Sequence, residues 1–153
     1  MNNISNPRMQ DIVVDEVFPH SAETIWKALT TGELIARWLM EPTGFEAVPG
    51  NHFTYKTAPS GEWDGLIECE VLEVIPNERL AYIWKGGHDA NTGYGSKLNT
   101  IVTWSLTGVD NGTRILLVHS GFITPHNDSA FDSMGKAWPK VFSNLNDIAS
   151  TLR

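Results

Sequence analysis

The sequence predicts an α+β fold: a curved antiparallel β-sheet wrapped around a long C-terminal α-helix, with two short helices after the first strand. Three observations carry this expectation. They are the element order strand, helices, strands, helix; the run of β-branched and aromatic segments between Phe45 and Ser120; and a closing apolar stripe at helical spacing. A sheet with one apolar face needs a cover, and the last helix is the obvious element to supply it.

Residues 1–10 are polar and contain Pro7, so they are expected to form a flexible N-terminal segment, with a single domain over 11–153. The first strand is Asp11 to Phe18, rich in β-branched residues. Ser21 then stands as a good N-cap, although Thr24 occupies the place where a capping box needs Glu or Gln. Ile25, Trp26, Ala28 and Leu29 follow at helical spacing, and after a break at Gly32 a second short helix carries Leu34, Ile35, Trp38 and Leu39.

Five further strands are expected: Asn51 to Thr57, Leu66 to Ile75, Arg79 to Trp84, Asn99 to Thr107 and Thr113 to Ser120. Turn residues such as Pro76-Asn77 and Asp110-Asn111-Gly112 separate them, as in an antiparallel meander. The loop from Lys85 to Lys97 contains four glycines and is either a lid or merely mobile. In the final segment Trp138, Val141, Phe142, Leu145, Ile148, Ala149 and Leu152 share one helical face. Pro139 leaves two options: the helix starts near it, or a turn capped at Asp128 or Ser129 continues through a kink.

Composition removes several function classes. The 153 residues fit one domain, and 18 acidic against 11 scattered basic residues give a net charge of −7, which argues against nucleic acid as a partner. No apolar run approaches the roughly 18 residues that membrane insertion requires, and the start lacks the apolar core of a secretory signal, so a cytoplasmic location is expected. Cys69 is the sole cysteine, which excludes an intrachain disulfide and any site of several thiolates.

Sharper motifs are missing too. Gly93-Tyr-Gly95-Ser-Lys97 lacks the ending of a phosphate loop, and His119-Ser120-Gly121 has no glycine two residues before the serine. His88 with Asp89, and His126 with Asp128 or Asp132, lack the spacing of a metal ligand set and read as solvated loops. No metal and no cofactor is expected.

If the sheet curves strongly, an apolar cavity can remain between it and the last helix. Strand alternation then nominates the residues that face it. Ile67, Cys69 and Val71 share one phase and Glu68 and Glu70 the other; the same rule groups Phe53 with Tyr55, Tyr82 with Trp84, Val102 with Trp104, and Leu117 with His119. The helix contributes Met134, Trp138 and Phe142. This lining, apolar with a few polar tips, suits a flat aromatic or polyketide-like molecule, while each aromatic residue can equally be core packing.

His119 is either a neutral imidazole satisfied by backbone, a ligand contact or a catalytic group. Cys69 reads as an inert buried thiol. Glu68 and Glu70 would join His119 as an acid–base pair only if a bulge reversed the strand phase.

Several stretches, taken in order, resemble a known family: Ala22 to Thr30, Glu33 to Leu39, Phe45 to Phe53, Gly65 to Trp84, Gly112 to Phe122, and Met134 to Leu145. Together they resemble the helix-grip proteins of the START-like (SRPBCC) superfamily, in the branch similar to the activator of Hsp90 ATPase homolog 1. The resemblance implies a helix-grip fold, one that hosts lipid carriers, hormone receptors and polyketide cyclases. The leading expectation is therefore non-enzymatic binding of a small hydrophobic molecule. The alternatives are a polyketide cyclase-like enzyme using His119, and an interaction module for an Hsp90-type chaperone or a like subunit, including a homodimer.

Overall fold

The computed structural model describes residues 7–152. The elements run β1 (Arg8–Phe18), α1 (Ala22–Thr30), α2 (Gly32–Trp38), β2 (His52–Lys56), β3 (Leu66–Ile75), β4 (Arg79–Gly86), β5 (Leu98–Val109), β6 (Gly112–Thr124) and α3 (Asp128–Ser150). All six strands join one antiparallel sheet in the order β1-β6-β5-β4-β3-β2. The architecture is the α+β helix-grip arrangement, with α3 lying across the sheet and against α1 and α2.

Local chemistry accounts for the boundaries. The Ser21 hydroxyl accepts from the Thr24 amide at 3.1 Å and donates to the Thr24 hydroxyl, so α1 starts where its cap stands. The tight turns after β3 and β5 place Asn77 at φ 65° and Asn111 at φ 66°, the left-handed conformation asparagine tolerates.

Three details differ from the expected outline. Of the segment expected to be flexible, residues 1–6 lie outside the described residues, whereas Arg8–Gln10 already pair with Phe122–Thr124 beyond a bulge at Gln10/Asp11. β3 contains a second bulge: Val71 faces Tyr82 and Glu73 faces Ala81, which leaves Leu72 as the extra, exposed residue. Strict alternation past Val71 would have aimed Glu73 at the core; the bulge instead lets it approach Arg79 at 3.7 Å. Finally, α3 takes the option of passing through Pro139, which is exposed, but its N-cap is Asn127 and not Asp128 or Ser129. Only the amide rung to Gly135 is lost there, so the apolar stripe stays continuous on the other side.

That stripe buries Trp138, Phe142, Leu145 and Ala149 against the inner face of the sheet. Among the described residues no helix is long and apolar enough to cross a membrane.

Candidate functional site

A cavity of about 280 Å³ opens at one end of the space between sheet and helix. Its floor is Ile67 and Trp84 from the sheet, one wall is Met134, Trp138 and Val141 from α3, and the opposite rim is Trp63 with the loop residues Tyr94 to Ser96. No lining residue is charged. At this size it sits near the lower end of the roughly 300–1,000 Å³ range of small-molecule sites.

Four of the fourteen nominated residues line this cavity: Ile67 and Trp84 from the strands, Met134 and Trp138 from the helix. The other ten point inward but are consumed in packing beneath it, because phase fixes which face a side chain occupies and not how far it stands from the helix. Trp104 stacks on Phe142 with ring centres 5.5 Å apart and donates its indole N–H to the Tyr82 hydroxyl at 3.1 Å. Phe53 packs edge-on against both Tyr55 and Tyr82. Cys69, Val71, Val102 and Leu117 are buried in the same cluster. Burial raises the Tyr55 and Tyr82 phenols well above their usual range and pushes the Cys69 thiol up to about 12, so none of the three ionises readily.

His119 is fully buried and both of its nitrogens are engaged. The Thr100 hydroxyl donates to the Trp84 carbonyl at 2.9 Å, so at its 2.7 Å contact with His119 Nε2 the hydroxyl must accept. That fixes the proton on Nε2 and leaves Nδ1 to accept from the Trp138 indole at 3.1 Å. The partners are thus side chains where backbone had been expected. Desolvation lowers the imidazole to about 3, which keeps it neutral. Having no free lone pair and no place on the cavity wall, His119 is a strut that orients Trp138. Glu68 is exposed, and Glu70 turns towards His52 at 3.8 Å, so the reversed phase that would have paired them with His119 does not occur.

Sequence periodicity could not find the rim, since Trp63 and the 86–96 loop follow no period. A lone tryptophan between Gly61 and Gly65 was the available signal. Trp63 donates to the Leu66 carbonyl at 3.0 Å and packs against Tyr94, whose hydroxyl reaches the Ala58 carbonyl at 2.9 Å. The buried Asn91 latches the two segments: its Oδ1 accepts from the Glu62 amide at 3.0 Å and its Nδ2 donates to the Ser60 carbonyl at 2.7 Å. Glycine is required on both sides of this latch, since a Cβ at Gly61 or Gly95 would stand 2.5 Å from the Asn91 amide atoms. Asn91→Ala is therefore expected to speed amide hydrogen exchange across the loop by roughly ten- to thirtyfold, the equivalent of two ordinary hydrogen bonds. Unaltered protection in that variant would show that the latch does not hold the loop.

Comparison with known proteins places this geometry. The family model described as activator of Hsp90 ATPase homolog 1-like protein matches residues 19–150. The chain belongs to this family. A crystal structure of protein MLL2253 from Mesorhizobium loti is 32% identical, with a TM-score of 0.80 over 94% of this chain and 99% of that one. Two more distant structures share the fold of this Hsp90 activator-like family. The Aha1 dimer of Colwellia psychrerythraea is 20% identical, with a TM-score of 0.68 over 90% of this chain and 94% of that one. DynU16, a protein of the dynemicin biosynthetic locus, is 21% identical, with a TM-score of 0.72; the match covers 92% of this chain and 47% of that one. No curated protein matches the chain.

Proposed function

We propose that this member of the family binds a small hydrophobic, flat molecule in the cavity between the sheet, α3 and the 86–96 loop, without chemistry of its own. The observation that carries the reading is the uncharged cavity, walled by the indoles of Trp63, Trp84 and Trp138 and open at a latched glycine-rich rim. Such walls favour aromatic rings by stacking and by apolar burial. The cyclase alternative loses its base, since His119 has both nitrogens occupied and does not reach the cavity. A like subunit finds support at edge strand β1, where Met9, Val13 and Val17 are exposed.

A thermal-shift screen of small aromatic compounds tests the reading. Binders are expected to raise the melting temperature of the natural chain. Ala137→Trp, a change at an exposed lining position, should fill the mouth and abolish those shifts while leaving the fold intact. Shifts of equal size in the filled variant would place binding elsewhere.

A further inference from the structure

The six tryptophans divide by what their indole N–H groups do. Four donate within the protein: Trp38 to the Ala28 carbonyl, Trp63 to the Leu66 carbonyl, Trp104 to the Tyr82 hydroxyl and Trp138 to His119. Trp26 is half-buried and water can serve it. Trp84 is different, being 3% exposed with no partner for its N–H among the described residues. Yet among those residues no fully enclosed side-chain nitrogen or oxygen lacks a partner. The Trp84 nitrogen therefore keeps contact with open space, and the space that Trp84 borders is the cavity.

A buried donor facing an apolar cavity selects its occupant, because a ligand that leaves it unpaired forfeits that hydrogen bond and one that accepts from it gains orientation. Of the other polar side chains, Ser133 is exposed and Thr57 half-buried at the rim, while the Ser96 hydroxyl, held by Asn127 at 3.3 Å, lies on the loop side, so Trp84 is the donor on the sheet floor. No lining residue carries a charge, so a carboxylate or ammonium group on the ligand would be stripped of water with nothing to balance it.

We propose that the occupant is a neutral flat arene bearing a carbonyl oxygen, and that Trp84 is the specificity-determining residue whose N–H takes that oxygen. This rests on the cavity being the binding site. The experiment compares three probes of one ring system by calorimetry: 2-acetylnaphthalene, its hydrocarbon isostere 2-isopropenylnaphthalene, and 2-naphthoate. The natural chain is expected to prefer the ketone over the isostere by about tenfold, the worth of one hydrogen bond, and to bind the carboxylate weakest.

Trp84→Phe keeps an aromatic ring and should erase the preference while the isostere still binds. In ¹⁵N-labelled natural chain, which needs no variant, the ketone alone should move the Trp84 indole resonance downfield. Equal affinity for ketone and isostere overturns the carbonyl assignment and leaves the cavity reading standing. A preference that survives in Trp84→Phe, or an indole resonance indifferent to the ketone, removes Trp84 from the role. Tight binding of the carboxylate overturns the requirement for a neutral ligand. Failure of all three to bind overturns the cavity reading and this inference with it.

Discussion

Trp104→Ala is expected to lower unfolding free energy by roughly 3–5 kcal/mol, the cost of a large aromatic deleted from a closed core. Trp104 is fully buried, stacked on Phe142, and edge-on to Trp38 and Trp138 at 5.5 and 5.8 Å. Its removal also withdraws the N–H from the buried Tyr82 hydroxyl. Since Trp104 does not line the cavity, probe selectivity in any folded fraction should stay as in the natural chain. Trp104→Phe, which keeps a ring against Phe142, should fall well short of the alanine loss. Urea titration measures both, and a loss below about 1 kcal/mol for alanine would mean that the aromatic cluster closes over the gap, contrary to dense packing.

Acidification from pH 7 to pH 5 is expected to cost about 2 kcal/mol through His119 alone. In the folded chain this imidazole is held near 3 by desolvation, against an ordinary value of 6.5. Between those values the unfolded chain binds a proton that the folded chain refuses, so stability is full above 6.5 and falls as pH drops towards 3. The slope is about 1.4 kcal/mol per pH unit. The window from 6.5 to 5 lies above the range in which ordinary carboxylates titrate, and a His119→Gln control separates His119 from the other four histidines. Denaturant midpoints at pH 7 and pH 5 should therefore differ in the natural chain and converge in His119→Gln. The same acid loss in both proteins would assign the effect to other groups.

Much of the fold was legible because its elements carry short-range signatures. Val102, Trp104 and Leu106 announce a half-buried strand, Pro76-Asn77 and Asp110-Asn111 announce turns, and the stripe from Trp138 to Leu152 announces a covering helix. What escaped were events without a period. The bulge that extrudes Leu72 depends on Glu73 being kept out of the core. Between the two options that Pro139 left open, passage of α3 through it is decided by that residue standing on the outer side of the helix.

The candidate site was legible to a lesser degree for a related reason. Alternation identified the inward-facing side chains correctly, as the burial of Phe53, Cys69, Val71, Val102 and Leu117 shows. The division of that set into filled core and cavity wall is decided by the distance between two surfaces. Nothing local encodes that distance. The rim was harder still, since the partners that seat Trp63, Tyr94 and Asn91 lie in turns and in a glycine-rich loop.

Asn127, the residue before α3, accepts from the Ile123 amide and donates to the Ser96 hydroxyl and the Lys97 carbonyl. Sheet, loop and helix are thereby pinned at one corner of the cavity, much as a box lid is fixed at its hinge. The far corner, where Trp63 meets Tyr94, is closed by that ring contact, by the Tyr94 hydroxyl on the Ala58 carbonyl and by the Asn91 latch. These bonds join loop to loop while Asn127 joins sheet, loop and helix, so an occupant of the proposed site longer than the cavity would protrude past Tyr94.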